Sequence, residues 1–347
     1  MYTIAVAGHI CLDATPLLGS SVDLVPGRLV EIGALSISPG GSVANTGGVL
    51  SALGARVVPF ANIGEDDLGA LLLGQLARLG LEAGKVTVTP GDSTSYSLVI
   101  EKPGTDRTLW HHTGANAHFD GSGVVLDKED IFHLGYPPLL PALVVDGGRP
   151  LRDLLARARA NGATTSVDLA VVDPTSQAGS MDWQAIFSTM APHIDVLSPS
   201  FDDLTSAFHI NAGFSVAMVD RLSDRLIEAG VAVVAISAGH HGLFIRTACK
   251  ARLAESGHAL SGVSSEWSNR RFHAAPVRVD GPVTTNGAGD ATSAGLAFAL
   301  AAGASLEEAA DLACACSAAV MSGRRPTPNT IAEFFPALSH LFQRVVA

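Results

Sequence analysis

The sequence predicts an α/β fold: a doubly wound, mainly parallel sheet flanked by helices, with a small β-sheet lid. From Ile131 onward, short apolar runs alternate with helical stretches, which is the pattern of βα units on a parallel sheet. Earlier, strand-like segments at about residues 14–38 and 94–115 lie outside that alternation and read as one small sheet over the site. No repeat, low-complexity tract or linker divides residues 1–347, so they read as one domain.

In chain order, TIAVAG (Thr3 to Gly8) is an apolar run ending in glycine, as expected of a buried parallel strand. Asp13 follows just past its carboxyl end, the edge where open α/β sheets bind ligands. Leu17 to Ser38 alternates apolar positions and reads as antiparallel strands; Pro39-Gly40-Gly41 ends it, and a helix is expected from Ser42 to Leu53 with Asn45 in its first turn. Arg56 to Gly64 is a second core strand, and Asp66 to Gly80 an amphipathic helix with acidic residues at its start. Ser95 to Glu101 and Arg107 to His112 flank Pro103-Gly104, a hairpin signal. Further strands are expected at IFHLG, TTSVDLA, IDVLSP, VAVVAIS and GLFIR. Helices are expected at Leu151 to Asn161, Phe201 to Phe208 and Met218 to Ala229. The polar stretch from Thr247 to about Arg271 reads as a long surface loop. Helices at Ala291–Ala302, Leu306–Met321 and Ile331–Arg344 close the chain.

The balance of 22 basic against 33 acidic residues, a formal charge of −11, argues against a nucleic-acid or anionic-membrane partner. Cys11, Cys249, Cys314 and Cys316 form no C-x-x-C pair and read as reduced thiols of a cytoplasmic protein. The start of the chain reads as a strand, not a signal peptide, and the apolar run Ala294 to Ala304 is too short for a bilayer. The twelve histidines include no H-E-x-x-H, which favours surface or structural roles over metal ligation.

The stretch from Val283 to Leu300 carries the chemistry. Gly287, Ala288 and Gly289 let a ligand approach the backbone, and a helix starting near Ala288 aims its free N–H groups at that spot, which suits an anion. Asp290 lies in the first turn. On these residues alone it is either a base beside a phosphate cradle or a favourable partner of the helix dipole. There is no G-x-x-x-x-G-K-[ST], and position 292 is Thr, so neither a P-loop nor a G-x-G-x-x-G dinucleotide motif is present.

TTNGAGDATSAG resembles the D-T-x-G-A-G-D signature of the PfkB, or ribokinase-like, carbohydrate kinases. GGSVANTGGVLSALG and ANIGEDDLGALLLGQLARLGL resemble that family's N-terminal signature. GHICLD, HTGAN and SAGHHG match further segments in the family's order. The resemblance implies a ribokinase-like fold that transfers phosphate from Mg-ATP to a sugar hydroxyl. Asp290 would be the general base, and the Gly287, Ala288 and Gly289 N–H groups the anion hole. It places Asp13, Gly40, Gly41 and Asn45 on the sugar, and Ser237, Gly239, Gly242 and Asn286 on the nucleotide. From the residues alone, Asp13 and Asn45 also read as caps or turn residues, and the SAGHHG glycines as a plain hairpin.

Departures from the family pattern matter. Thr284 stands where the family usually has an Asp associated with a monovalent cation, so potassium activation does not carry over. Ser200-Phe201-Asp202-Asp203 aligns with an N-x-x-E tied to magnesium, leaving Asp203 as the candidate metal contact. After the strand IFHLG, Gly135 and Tyr136 replace the acidic sugar contact common in ribokinases, so a ribose-specific pocket is not expected as such. A nucleoside kinase of the same fold, or a binding protein that has lost turnover, are the alternative readings. An exposed lid sheet invites pairing with its copy in a homodimer.

Overall fold

The computed structural model describes residues 1–19, 26–101, 108–280 and 285–345. The apolar run at the start forms β1 (Thr3–Gly8), whose side chains alternate between two layers: Ile4 and Val6 enter one core, Ala5 and Ala7 the other. The chain then leaves the central layer for β2 (Cys11–Pro16) and β3 (Leu35–Gly40) before α1 (Gly41–Leu53) returns it to the core. β4 (Arg56–Gly64), α2 (Asp67–Arg78) and β5 (Val86–Thr89) follow, with the Asp66 carboxylate accepting the Gly69 N–H as the cap of α2. β6 (Tyr96–Ile100) and β7 (Thr108–His112) complete the excursion, and their turn residues Pro103-Gly104 lie outside the described residues.

From there the alternation is regular. It runs β8 (Ile131–Gly135), α3 (Pro141–Ala160), β9 (Thr164–Asp168), α4 (Trp183–Met190), β10 (Val196–Leu197), α5 (Phe201–Ala207), α6 (Val216–Glu228), β11 (Val233–Ser237) and β12 (Leu243–Thr247). α3 breaks at its start, where Asp146, Gly147 and Gly148 take positive φ and Pro150 removes a donor. α7 (Lys250–Ala254), α8 (His258–Gly262), α9 (Ser264–Trp267) and β13 (Arg271–Ala274) precede the closing helices α10 (Ala288–Ala301), α11 (Leu306–Met321) and α12 (Pro328–Phe334).

Among the described residues, nine strands form one sheet in the order β13-β12-β11-β10-β9-β8-β1-β4-β5, and β3-β2-β6-β7 form a separate sheet of four. The large sheet is parallel from β11 to β5; β12 runs antiparallel to β11 and β13 to β12. Successive strands leave β1 in opposite directions, β4 on one side and β8 on the other. The switch point of this doubly wound sheet therefore lies at the carboxyl ends of β1 and β8.

The structure differs from the sequence reading at definite places. The lid strand before β3 is Cys11–Pro16, so no strand occupies the described part of 17–34 and Asp13 lies within the lid sheet. Residues 247–271 are not an irregular loop: α7, α8 and α9 bury Leu253, Leu260 and Trp267. Trp267 is the anchor, its indole N–H donating to the Ala304 carbonyl at 3.1 Å. Widely spaced apolar residues in a polar stretch were enough to fold it back onto the core. The final helix is shorter than expected. α12 ends at Phe334 and a 3₁₀ segment begins at Pro336, because proline has no N–H to continue an α-helix. Asn45 is the fifth residue of α1, just past the first turn.

Candidate active site

The carboxyl ends of β1 and β8 converge with the amino end of α10. The chain leaves β1 at Gly8, and the His9 N–H donates to the Gly135 carbonyl at 3.2 Å, tying the two strand ends together. The Val43 N–H donates to the His9 carbonyl at 3.1 Å, which seats the first turn of α1 on the same spot. That approach needs glycine at 41: its φ is +80°, and a Cβ there would stand 2.9 Å from the Ile10 Cα. The Asn116 side chain, from the HTGAN segment, bonds both the Ile10 N–H (3.3 Å) and its carbonyl (2.8 Å), fixing the step from β1 into the lid.

Asp290 sits at this junction in the first turn of α10, almost fully buried. Asn45 Nδ2 (3.0 Å) and the Tyr136 hydroxyl (2.7 Å) donate to its Oδ2, and the Thr46 hydroxyl (3.0 Å) donates to its Oδ1. Burial raises its pKa above the usual carboxylate range, with the nearby Asp13 charge adding to the rise, while the three donors oppose it. Tyr136 reaches the carboxylate because it leaves β8 in the left-handed region, φ 65°, a conformation uncommon for a non-glycine residue.

The sequence-predicted acceptor residues gather around it. Asp13 on β2 lies beside Gly40 on β3, where a Cβ would fall 2.6 Å from the Asp13 Cγ. Asn45 also lies against the glycine turn, 3.9 Å from where a Gly287 Cβ would be. Gly287 caps α10 with φ 76°, and a Cβ on Gly289 would meet open space, so the turn presents bare backbone. The Ala288 N–H makes a long bond, 3.3 Å, to the Thr285 carbonyl. Thr284 lies outside the described residues.

On the other side of the switch point, Ser237 ends β11, and Gly239 (φ 53°) and Gly242 (φ 90°) shape a one-turn 3₁₀ connection into β12. Ser237 pairs with Ser200 in an isolated bridge. Ser200 and Asp203 form a capping box on α5, the Asp203 Oδ2 accepting the Ser200 N–H at 2.8 Å. Burial pushes the Asp203 pKa up to about 6. Asp168 at the end of β9 is pushed well up by burial and by the charges of Asp290 and Asp203, so carboxylates crowd this edge. Among the described residues, no group of three or more His, Cys, Asp or Glu side chains is arranged to hold a metal ion.

Sequence reasoning named Tyr136 only as standing where ribokinases carry an acidic sugar contact, not as a partner of Asp290, and it missed Thr46, Asp168 and two histidines. His9 is buried, with its Nε2 3.3 Å from the His111 Nε2, and the His111 Nδ1 lies 3.1 Å from the Ser97 hydroxyl. Burial holds His9 well below the usual histidine range, and also lowers His111, so both rings are neutral at pH 7. The twelve histidines are read in the sequence only for the lack of an H-E-x-x-H motif. Nothing local in the sequence shows that lid residue His111 faces His9.

A doubly wound sheet with a separate small sheet beside its switch point is the ribokinase-like architecture, and solved structures of that kind match. Ribokinase from Thermotoga maritima superposes with a TM-score of 0.68 at 19% identity, covering 97% of this chain and 100% of that one. Arabidopsis thaliana ribokinase, complexed with ribose and ATP, gives 0.71 at 15% identity, covering 96% and 99%. Burkholderia thailandensis nucleoside kinase, in complex with inosine, gives 0.69 at 18% identity, covering 96% and 98%. The family described as pfkB family carbohydrate kinase matches residues 1–331. The chain belongs to the pfkB family of carbohydrate kinases.

Proposed function

We propose that the protein transfers the γ-phosphoryl group of ATP to a hydroxyl of a small sugar or sugar-like acceptor. The observation that carries this reading is the buried Asp290 carboxylate at the amino end of α10, with a hydroxyl, that of Tyr136, already donating to it at 2.7 Å. An acceptor hydroxyl needs that same hydrogen-bond reach to lose its proton. Asp290 takes the proton, the acceptor oxygen bonds to the γ-phosphorus, and the bond from phosphorus to the ADP oxygen breaks. The Gly287–Gly289 turn and the α10 amino end would face the charge on the transferring group. Asp13, Gly40, Gly41 and Asn45 would line the acceptor. Ser237, Gly239, Gly242 and Asn286 would line the nucleotide, for which the ATP and ribose named with the Arabidopsis structure are a precedent.

Magnesium fits in one mode. Asp203 is a single buried carboxylate with one oxygen taken by a backbone N–H, so it would supply at most one protein ligand or hold a metal-bound water. Magnesium bound to nucleotide takes one or two carboxylates and otherwise phosphates and water. When bound it would neutralise phosphate charge.

A nucleoside acceptor is the second reading, favoured by the exposed His111 ring, which is backed by the buried His9 ring with centroids 5.0 Å apart and would offer a base an aromatic face. Purified protein with Mg-ATP and a panel of sugars and nucleosides tests both. ADP release that depends on one acceptor class supports the corresponding reading, and none with any acceptor would leave a binding protein.

The pH profile should report the base. Because kcat/KM follows the free enzyme and Asp290 works ionised, the rate falls as pH drops through its raised pKa. Tyr136→Phe removes a donor that stabilises the charged form, so the acid limb should move to higher pH; an unmoved limb would separate Tyr136 from the base. The lid also exposes Leu35, Leu109 and Trp110, which supports pairing between two copies. Light scattering should find a dimer that Trp110→Glu converts to monomer, and a monomeric unaltered protein would refute the pairing.

A further inference from the structure

A buried histidine that the reaction scheme leaves unused, His133, lies on β8 directly opposite Ser166 on β9. It links two parts of the fold. The Ser166 hydroxyl is 3.0 Å from its Nδ1, and the Ser42 hydroxyl is 3.2 Å from its Nε2. Ser42 lies 3.2 Å from the Thr46 hydroxyl one turn along α1, and Thr46 donates to the Asp290 Oδ1 at 3.0 Å. Every side chain in this series is at most 3% exposed, so bulk water does not compete for its hydrogen bonds.

We propose that Ser166, His133, Ser42 and Thr46 form a one-way hydrogen-bond chain that positions Asp290, and that the tautomer of His133 is set by the charge of that carboxylate. The direction follows from counting protons. An ionised carboxylate only accepts, so Thr46 spends its single hydroxyl proton on Oδ1 and must accept from Ser42. Ser42 has then spent its proton and must accept from the His133 Nε2–H. A neutral imidazole carries one N–H, so Nδ1 is bare and accepts the Ser166 proton. Burial pushes the His133 pKa down to about 4, which keeps the ring neutral at pH 7.

With Thr46 holding Oδ1 and Asn45 and Tyr136 holding Oδ2, the carboxylate cannot rotate about its χ2 bond without losing a donor. Ser42, Thr46 and His133 are positioning residues. The catalytic part of this inference rests on the phosphotransfer reading; the arrangement of protons does not.

The test is a ring-nitrogen NMR measurement on protein with ¹⁵N-labelled histidine at neutral pH, with His133 assigned by its loss in His133→Gln. The unaltered protein should show the Nε2–H tautomer, and an Nδ1–H ring there would overturn the proposal. Asp290→Asn should reverse the chain. Two donors, Asn45 and Tyr136, face the Oδ2 position, so the new amide oxygen turns toward them and its NH₂ toward Thr46. Thr46 then accepts and donates to Ser42, Ser42 donates to Nε2, and His133 becomes the Nδ1–H tautomer. An unchanged tautomer in folded Asp290→Asn also overturns the proposal.

Thr46→Val should lower kcat about tenfold or more at constant acceptor KM, the loss of one hydrogen bond to a charged group, with Thr46→Ser restoring it. Equal effects of Val and Ser would reduce Thr46 to a packing role and contradict the positioning claim. If no acceptor is ever phosphorylated, the NMR result still decides the chain. If phosphorylation occurs and the tautomer stays put, the proposal alone falls.

Discussion

Asp290→Asn should lower turnover by about a hundred- to ten-thousandfold, the range for removing a general base, while the protein stays folded. The substitution is nearly isosteric. The Asn45, Tyr136 and Thr46 groups around position 290 keep hydrogen-bonding partners, because an amide both accepts and donates. What disappears is the ability to receive a proton. Thermal unfolding should stay close to that of the unaltered protein, because burying a neutral amide avoids the desolvation that raises the Asp290 pKa. Steady-state kinetics paired with a melting curve checks both halves. Near-normal turnover would show that the carboxylate is a structural partner of the α10 dipole and not the base.

Gly40→Ala should raise the acceptor KM by about ten- to hundredfold, equivalent to one or two charge-assisted hydrogen bonds. Gly40 has φ −132°, ordinary extended backbone that alanine adopts without strain. The added Cβ would fall 2.6 Å from the Asp13 Cγ, so the carboxylate must swing away. Loss of acceptor affinity with little change in kcat would place Asp13 on the substrate. Unchanged KM would return Asp13 to a lid residue held by the Cys11 thiol at 3.4 Å. Gly41→Ala is the contrast: its positive φ and the Ile10 backbone 2.9 Å away predict a folding defect instead of a pure affinity defect.

The parts of the site legible in sequence were those that chemistry ties to a local pattern. A Gly-Ala-Gly turn before a run of helix formers announces bare backbone at the start of α10, and Pro39-Gly40-Gly41 marks the break ahead of α1. The strand-and-helix alternation after Ile131 was legible because a buried parallel strand is apolar throughout. What escaped depended on partners far along the chain. Tyr136 reaches Asp290 across 154 positions, and Thr46 across 244. His133 sits inside an apolar strand, where only the register of β8 with β9 gives it Ser166. The helices between Leu253 and Trp267 were hidden by polar composition, since their few apolar residues matter only once the Ala304 carbonyl and the α10–α11 layer are in place.

The most direct test of phosphoryl transfer follows a labelled γ-phosphoryl group from ATP in the presence of each candidate acceptor and magnesium. The phosphotransfer reading predicts the label in a phosphate ester of the acceptor, one for each ADP formed, and its appearance slowed by about a hundred- to ten-thousandfold with Asp290→Asn. Label that stays in ATP with every acceptor, or passes only to inorganic phosphate, would contradict it.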